Sequence, residues 1–190
     1  MSANTIEHNR SRQSFEGLSS VWLFGYGSLI YKVDFPFLEQ RPAQIEGWAR
    51  RFWQGSHDHR GTAEAPGRVV TLIEQPDARC RGIAYRVSPE VFQHLDVREK
   101  NGYLRFTTTM TFTDGSGHAE GLVYIATPDN DAFLGPADEA DIARQIAGAC
   151  GPSGPNAEYL LRLAESLRDL GDHDSHVFAL ETLLRNPAVD

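Results

Sequence analysis

The sequence predicts a mixed α+β fold with an antiparallel or barrel-like sheet, and three observations carry that expectation. The first two thirds of the chain hold short β-rich runs cut by Gly- and Pro-containing stretches. From Leu104 the apolar residues alternate with strand period, and Asp114-Gly115-Ser116-Gly117 turns the chain back into a second such run. The last third changes to helical period over three segments.

In chain order, residues 1–18 are polar, mix both charge signs and lack the apolar core of a secretory signal. They are expected to form a flexible leader, followed by a single domain over residues 19–186. Val21-Trp22-Leu23-Phe24 reads as a buried strand that feeds the tight loop Gly25-Tyr26-Gly27-Ser28. Residues 43–53 and 69–73 read as strands separated by a polar loop over 55–67, and residues 81–87 as another strand. Ser88-Pro89 offers a cap and a first-turn proline to a short helix with Val91, Phe92 and Leu95 on one face, ended by Asn101-Gly102. Leu104, Phe106, Thr108, Met110 and Phe112, then Leu122, Tyr124 and Ala126, form the two arms of a hairpin. Residues 137–149, 156–170 and 174–184 are amphipathic helices, the second with a core stripe of Leu160, Leu163, Leu167 and Leu170 and a stop at Gly171.

A chain of 190 residues can bury one sizeable core without disulfides or a structural metal. No apolar run approaches the roughly 20 residues that cross a bilayer, so a soluble chain with no membrane partner is expected. The formal charge of −8 repels phosphate backbones, and no Lys/Arg cluster with interleaved aromatics offsets it, which excludes nucleic acid as a partner. The same charge gives an anionic substrate no long-range attraction, so its recognition has to come from donors inside a pocket. Cys80 and Cys150 are too few for a disulfide framework and lack metal-ligand spacing. They read as small buried hydrophobes in a reducing, cytoplasmic chain, and a monomer is the default.

Two strings could carry chemistry. In Tyr26-Gly27-Ser28-Leu29, glycines at a strand end let backbone N–H groups converge on an anion or a polarised carbonyl. The same string by itself is also a plain strand-to-turn exit. It is not a dinucleotide fingerprint, because Ile30 stands where the third glycine belongs and Pro36 interrupts the segment that should be a long helix. Nor is it a GxSxG elbow, because Leu29-Ile30 follows the serine. The second string holds Glu99 at the end of the short helix, where the helix dipole disfavours a carboxylate and pushes its pKa upward. A surface ion pair with Arg98 or Lys100 is the plainer use of Glu99. His57 and His59 form an HxH pair in a polar loop, where solvated or hydrogen-bonded histidines are more common than metal ligands. Arg60 and Arg68 are expected mainly as surface ion pairs, with a carboxylate-binding fork as the alternative.

Five strings together resemble the ChaC family in order and spacing. They are Tyr26-Gly27-Ser28-Leu29, Gly55-Ser56-His57-Asp58-His59-Arg60-Gly61, Pro66-Gly67-Arg68-Val69-Val70-Thr71-Leu72, Val97-Arg98-Glu99-Lys100-Asn101-Gly102-Tyr103 and the stretch from Gly151-Pro152-Ser153-Gly154-Pro155 through Asn156-Ala157-Glu158-Tyr159-Leu160. The resemblance implies a small barrel with flanking helices and a helical C-terminal segment, the γ-glutamylcyclotransferase-like fold. It implies cyclisation of the γ-glutamyl group of glutathione to 5-oxoproline, without a cofactor. On this sequence the implied catalytic acid/base is Glu99, and the loop implied to hold the γ-glutamyl group is Tyr26, Gly27, Ser28 and Leu29, with Tyr103 as a further contact. Pro155 departs from the small or basic residue expected there, and should reshape at most the pocket rim near Tyr159.

Overall fold

The computed structural model describes residues 4–187. Five strands, β1 (Val21–Gly25), β2 (Glu39–Ser56), β3 (Gly67–Val87), β4 (Tyr103–Phe112) and β5 (His118–Ala126), close into a barrel in the order β1-β3-β2-β4-β5. The seam between β1 and β5 is parallel and the other pairings are antiparallel, so the expected antiparallel or mixed barrel is borne out.

β1 and the second half of β5 are shielded on both faces, which explains their near-continuous apolar runs, whereas β4 alternates buried residues with exposed threonines. Along β1, Leu23 packs with Tyr85, Phe92 and Leu95, whereas Phe24 packs with Ile45, Phe52, Leu72 and Met110. On β5, Leu122 and Tyr124 join the first group and Val123 and Ile125 the second, as the two-residue period of a strand requires. The helix α3 (Val91–Arg98) supplies Val91, Phe92 and Leu95 to one side. The helices α4 (Glu139–Gly148), α5 (Asn156–Asp169) and α6 (Ser175–Arg185) cover the other, with Leu160, Leu163 and Leu167 fully buried and Leu170 packed against them. A two-stranded ribbon, β6 (Cys150–Gly151) with β7 (Gly154–Pro155), joins α4 to α5.

The structure differs from the sequence expectations in three places. Residues 69–73 and 81–87, expected as separate strands, belong to the one long strand β3. The pairing with β2 shifts register between Glu46 and Trp48, where residues 75–78 of β3, Pro76 among them, bulge out opposite Gly47 at φ +81° without ending the strand. Within the expected flexible leader, residues 6–12 form a helix, α1 (Ile6–Arg12), held by polar contacts rather than an apolar face. Fully buried Asn9 donates to the Tyr103 carbonyl at 3.0 Å and accepts from the Arg105 N–H at 2.8 Å, while the Thr5 N–H donates to the Lys100 carbonyl at 3.0 Å. Finally, Cys150 is exposed; only Cys80 is buried, and both are free thiols.

Among the described residues, no helix is long and apolar enough to cross a membrane.

Candidate active site

Chain direction places the two suspected strings opposite each other. β1 ends at Gly25, the chain turns through Tyr26 and Gly27, and a single helical turn, α2 (Ser28–Tyr31), follows. The turn is wedged between β3 and α5: a Cβ on Gly27 would stand 2.8 Å from Val70 Cγ2 and 3.0 Å from Tyr159 Oη, so only glycine fits. Arg50 of β2 fixes the backbone here by donating from Nε to the Tyr26 carbonyl at 2.7 Å.

Glu99 is the C-terminal cap of α3, and its N–H donates to the Leu95 carbonyl at 2.8 Å. Its side chain is only 16% exposed, and its nearest cation is Arg98, with Nε at 3.5 Å from Glu99 Oε1. The exposed ion pair that the plainer reading offered is therefore not what forms. Burial raises the Glu99 pKa above its ordinary 4.5, with Arg98 and His59 pulling it down and Asp34 and Asp58 pushing it up.

Between these elements lies a cavity of about 430 Å³, and Tyr26, Gly27, Ser28, Leu29, Glu99 and Tyr103 all line it. The sequence reading thus picked six residues that the fold brings to one place. The phenols are locked: Tyr26 Oη donates to the Tyr124 carbonyl at 2.6 Å, Tyr103 Oη to the Val70 carbonyl at 2.6 Å and Tyr124 Oη to Asp96 Oδ1 at 2.6 Å. Burial holds the Tyr26 and Tyr103 pKa values well above 10.0, so they act as walls and hydrogen-bond donors rather than acids.

Several lining residues lie outside the six expected from the sequence. Arg98 reaches across from α3 to the loop, Tyr159 closes the wall from α5, and Asp58, His59 and Arg60 line the cavity from the connection between β2 and β3. Arg60 and Arg68 are buried rather than surface residues. Arg68 is structural, donating to the carbonyls of Phe52 and Gly135 at 3.0 Å each. Arg60 donates to the Pro155 carbonyl at 3.1 Å, so Pro155 touches a cavity residue directly, and lies 3.3 Å from Glu158. For Arg98, Asp58 and Tyr159 the signal in the sequence is the family spacing; for Arg60 a carboxylate-binding fork is only the alternative to a surface ion pair, because an arginine between polar neighbours reads as surface. Lys32, Arg60, Arg98 and Lys100 line the cavity beside Asp34, Asp58 and Glu99, so cationic donors are present there on a chain of net charge −8. This meets the requirement that donors for an anion be local. His59 Nδ1 stands 3.2 Å from Ser153 Oγ, and among the described residues no group of three or more His, Cys, Asp or Glu side chains could hold a metal ion.

The closed mixed barrel with its flanking helices is a γ-glutamylcyclotransferase-like architecture, and solved structures share it. The crystal structure of a glutathione-specific γ-glutamyl cyclotransferase from yeast aligns with a TM-score of 0.81 at 34% identity, covering 88% of this chain and 96% of that one. A more distant γ-glutamyl cyclotransferase structure, 14% identical with a TM-score of 0.54, shares the fold. The match to the ChaC-like protein family spans residues 21–187, and the chain belongs to that family. Among its relatives, the zebrafish (Danio rerio) glutathione-specific gamma-glutamylcyclotransferase 1 is 47% identical, covering 88% of this chain and 90% of its own. The human protein of the same name is 42% identical over 85% of this chain and 77% of its own. Arabidopsis thaliana gamma-glutamylcyclotransferase 2-3 is 46% identical over 88% of this chain and 89% of its own.

Proposed function

We propose that this chain is a glutathione-specific γ-glutamylcyclotransferase that releases 5-oxoproline and Cys-Gly, with Glu99 as general base and acid. The observation that carries the reading is the largely shielded Glu99 carboxyl on one wall of the cavity that the Tyr26–Leu29 loop also lines, in a chain 36–47% identical to enzymes bearing that name.

At neutral pH the α-amine of the γ-glutamyl group is protonated and cannot attack. Glu99 takes a proton from it, and the amine closes on its own γ-carbonyl to form a five-membered ring. The ring nitrogen sheds a second proton as the bond to the cysteinyl nitrogen breaks. That nitrogen takes up two protons by way of the Glu99 carboxyl and leaves as the ammonium of Cys-Gly. Protons balance, and no covalent enzyme intermediate or redox step is involved. A carboxyl with a raised pKa serves both directions better than an ordinary one, because it holds a proton less reluctantly.

The backbone at Gly27, Ser28 and Leu29 steadies the substrate's α-carboxylate or the oxyanion that develops on the γ-carbonyl. Ser28 Oγ accepts from Arg98 at 2.9 Å, which leaves the hydroxyl proton free to point at that anion. Tyr103 bounds the pocket beside the base. Since the attack is intramolecular, a cavity that holds the substrate folded supplies much of the rate advantage. Residues 19–186 form the catalytic unit, acting as a monomer in a reducing cytoplasm, a setting that the two free thiols suit.

The test is incubation with glutathione and mass spectrometry for 5-oxoproline and Cys-Gly, with Glu99→Gln alongside. Wild type should form both products and Glu99→Gln should fall by about 10²–10⁴-fold, the range of a lost general base. Wild-type turnover by Glu99→Gln removes Glu99 from the mechanism. Cleavage of γ-glutamyl-alanine with glutathione left intact corrects the substrate and keeps the chemistry.

A further inference from the structure

The short-helix arginine next to Glu99 has a plain structural use, which is to satisfy the last carbonyls of α3 as a cation at the negative helix end. Its donors go elsewhere. Arg98 Nη1 donates to the Lys32 carbonyl at 2.8 Å and to Asp34 Oδ1 at 2.6 Å, and Nη2 donates to Ser28 Oγ at 2.9 Å. The remaining edge, Nε, faces Glu99 Oε1 at 3.5 Å, an ionic contact longer than a good hydrogen bond. The Arg98 side chain itself is only 10% exposed, although two of its partners, Lys32 and Asp34, lie near solvent.

We propose that Arg98 is a positioning residue of the site: its guanidinium brackets the Ser28–Asp34 segment against Glu99, fixing the distance between the substrate-holding loop and the base and the direction of the Ser28 hydroxyl. This rests on the function proposed above. The fork geometry is essential, since one planar group serves a hydroxyl, a carbonyl and two carboxylates at once, which a lysine ammonium cannot span. The 3.5 Å contact also leaves the Glu99 carboxylate unclaimed by a short charge-assisted bond and free to take the substrate's proton.

The charge environment gives the bracket a signature in pH. Glu99 is faced by Arg98 of its own helix, by Asp34 after α2, by Asp58 and His59 between β2 and β3, and by the phenols of Tyr26, Tyr103, Tyr124 and Tyr159. Lys32, Arg60 and Lys100 line the same cavity. Arg98 favours the ionised base and Asp34 disfavours it, so removing one or the other moves the acid limb of the rate profile in opposite directions.

The experiment compares kcat, KM and the pH dependence of kcat/KM for glutathione in wild type, Arg98→Met, Arg98→Lys and Asp34→Asn, with thermal unfolding as the check on folding. Arg98→Met should lower kcat/KM by about 10²-fold, the scale of a lost positioning contact, and move the acid limb to higher pH. Arg98→Lys should keep the limb near wild type, because the charge remains, while KM stays raised. Asp34→Asn should raise KM too but move the limb to lower pH. Wild-type kcat/KM in folded Arg98→Met, or full rescue of both constants by Arg98→Lys, overturns the bracket. If Arg98→Met does not fold, the other two variants decide: KM raised in both, with the limb unmoved in Arg98→Lys and lowered in Asp34→Asn, upholds the bracket, and wild-type KM in both overturns it. A wild type that leaves glutathione uncleaved refutes the function instead, which separates that failure from this one.

Discussion

Two arginines grip the same loop from opposite sides, and they do so in opposite ways. Arg50, 2% exposed, donates to the Tyr26 and Arg81 carbonyls and pairs with Asp174 at 2.6 Å and Asp172 at 3.3 Å. Every face of its guanidinium meets a partner, and those partners tie β2 to the start of α6. Arg98 holds the other end of the loop, at Ser28, Lys32 and Asp34, but leaves its contact with Glu99 at 3.5 Å. A buried charge whose pairing is complete fixes backbone; one whose pairing is incomplete leaves a neighbouring carboxyl free to exchange protons. The loop that lines the cavity is thus anchored by the first kind and tuned by the second.

The largest expected effect tests the anchored side. Arg50→Met leaves two carboxylates, partly shielded from water, without their cation, and removes the donor from the buried Tyr26 carbonyl and the partly buried Arg81 carbonyl. We expect a loss of about 3–5 kcal/mol in urea unfolding, as when one member of a buried pair is removed. Arg98→Met should cost far less stability, since its partners Asp34 and Lys32 lie near solvent. Equal stability losses at the two arginines would erase the distinction.

A pH experiment sharpens the tuned side. The Glu99 pKa is raised above 4.5, chiefly by burial, and the base must be ionised to act. The acid limb of kcat/KM should therefore lie above the ordinary glutamate range, with activity lost as pH falls through the raised value. Stability runs the other way: the folded state holds this proton more tightly than the unfolded chain, so wild type loses stability as pH rises from the unfolded value through the folded one. Glu99→Gln lacks that loss. Its unfolding temperature relative to wild type should rise between acid and neutral pH, and a difference that stays flat across this window would contradict the raised pKa.

The sequence made one of these two sides legible and hid the other. Glu99 stood out because a carboxylate at a helix C-terminus is locally unfavourable, and the Gly25-x-Gly27 turn stood out because it breaks an apolar run. The strands, the hairpin and the three C-terminal helices were readable from period alone, since each buries an apolar stripe. Arg50, Arg60, Arg68 and Arg105 were not, because a buried arginine leaves no periodic mark and depends on carbonyls and carboxylates distant in sequence; Asp174 is 124 positions from Arg50. The union of residues 69–73 and 81–87 into β3 was hidden by Pro76, whose exposed bulge breaks the pattern without breaking the strand. For the same reason α1 read as a leader: its docking is a set of hydrogen bonds to β4, and its sequence has no apolar face to announce them.

That helix offers the smallest test, and it extends the comparison to a third grip. Asn9 holds the backbone of Tyr103 and Arg105, a few residues beyond Glu99, with both ends of its amide satisfied by main-chain groups. By the logic of Arg50, such a closed polar contact stabilises without taking part in chemistry. Asn9→Ala strands a buried carbonyl and a buried N–H, which should cost about 1–3 kcal/mol in thermal or urea unfolding. Turnover per folded molecule should stay within about 3-fold of wild type, since the scale of a lost positioning contact is far larger. A drop in kcat/KM like that of Arg98→Met, at unchanged stability, would place α1 with the tuning side of the molecule and show that closed pairing alone does not mark a purely structural grip.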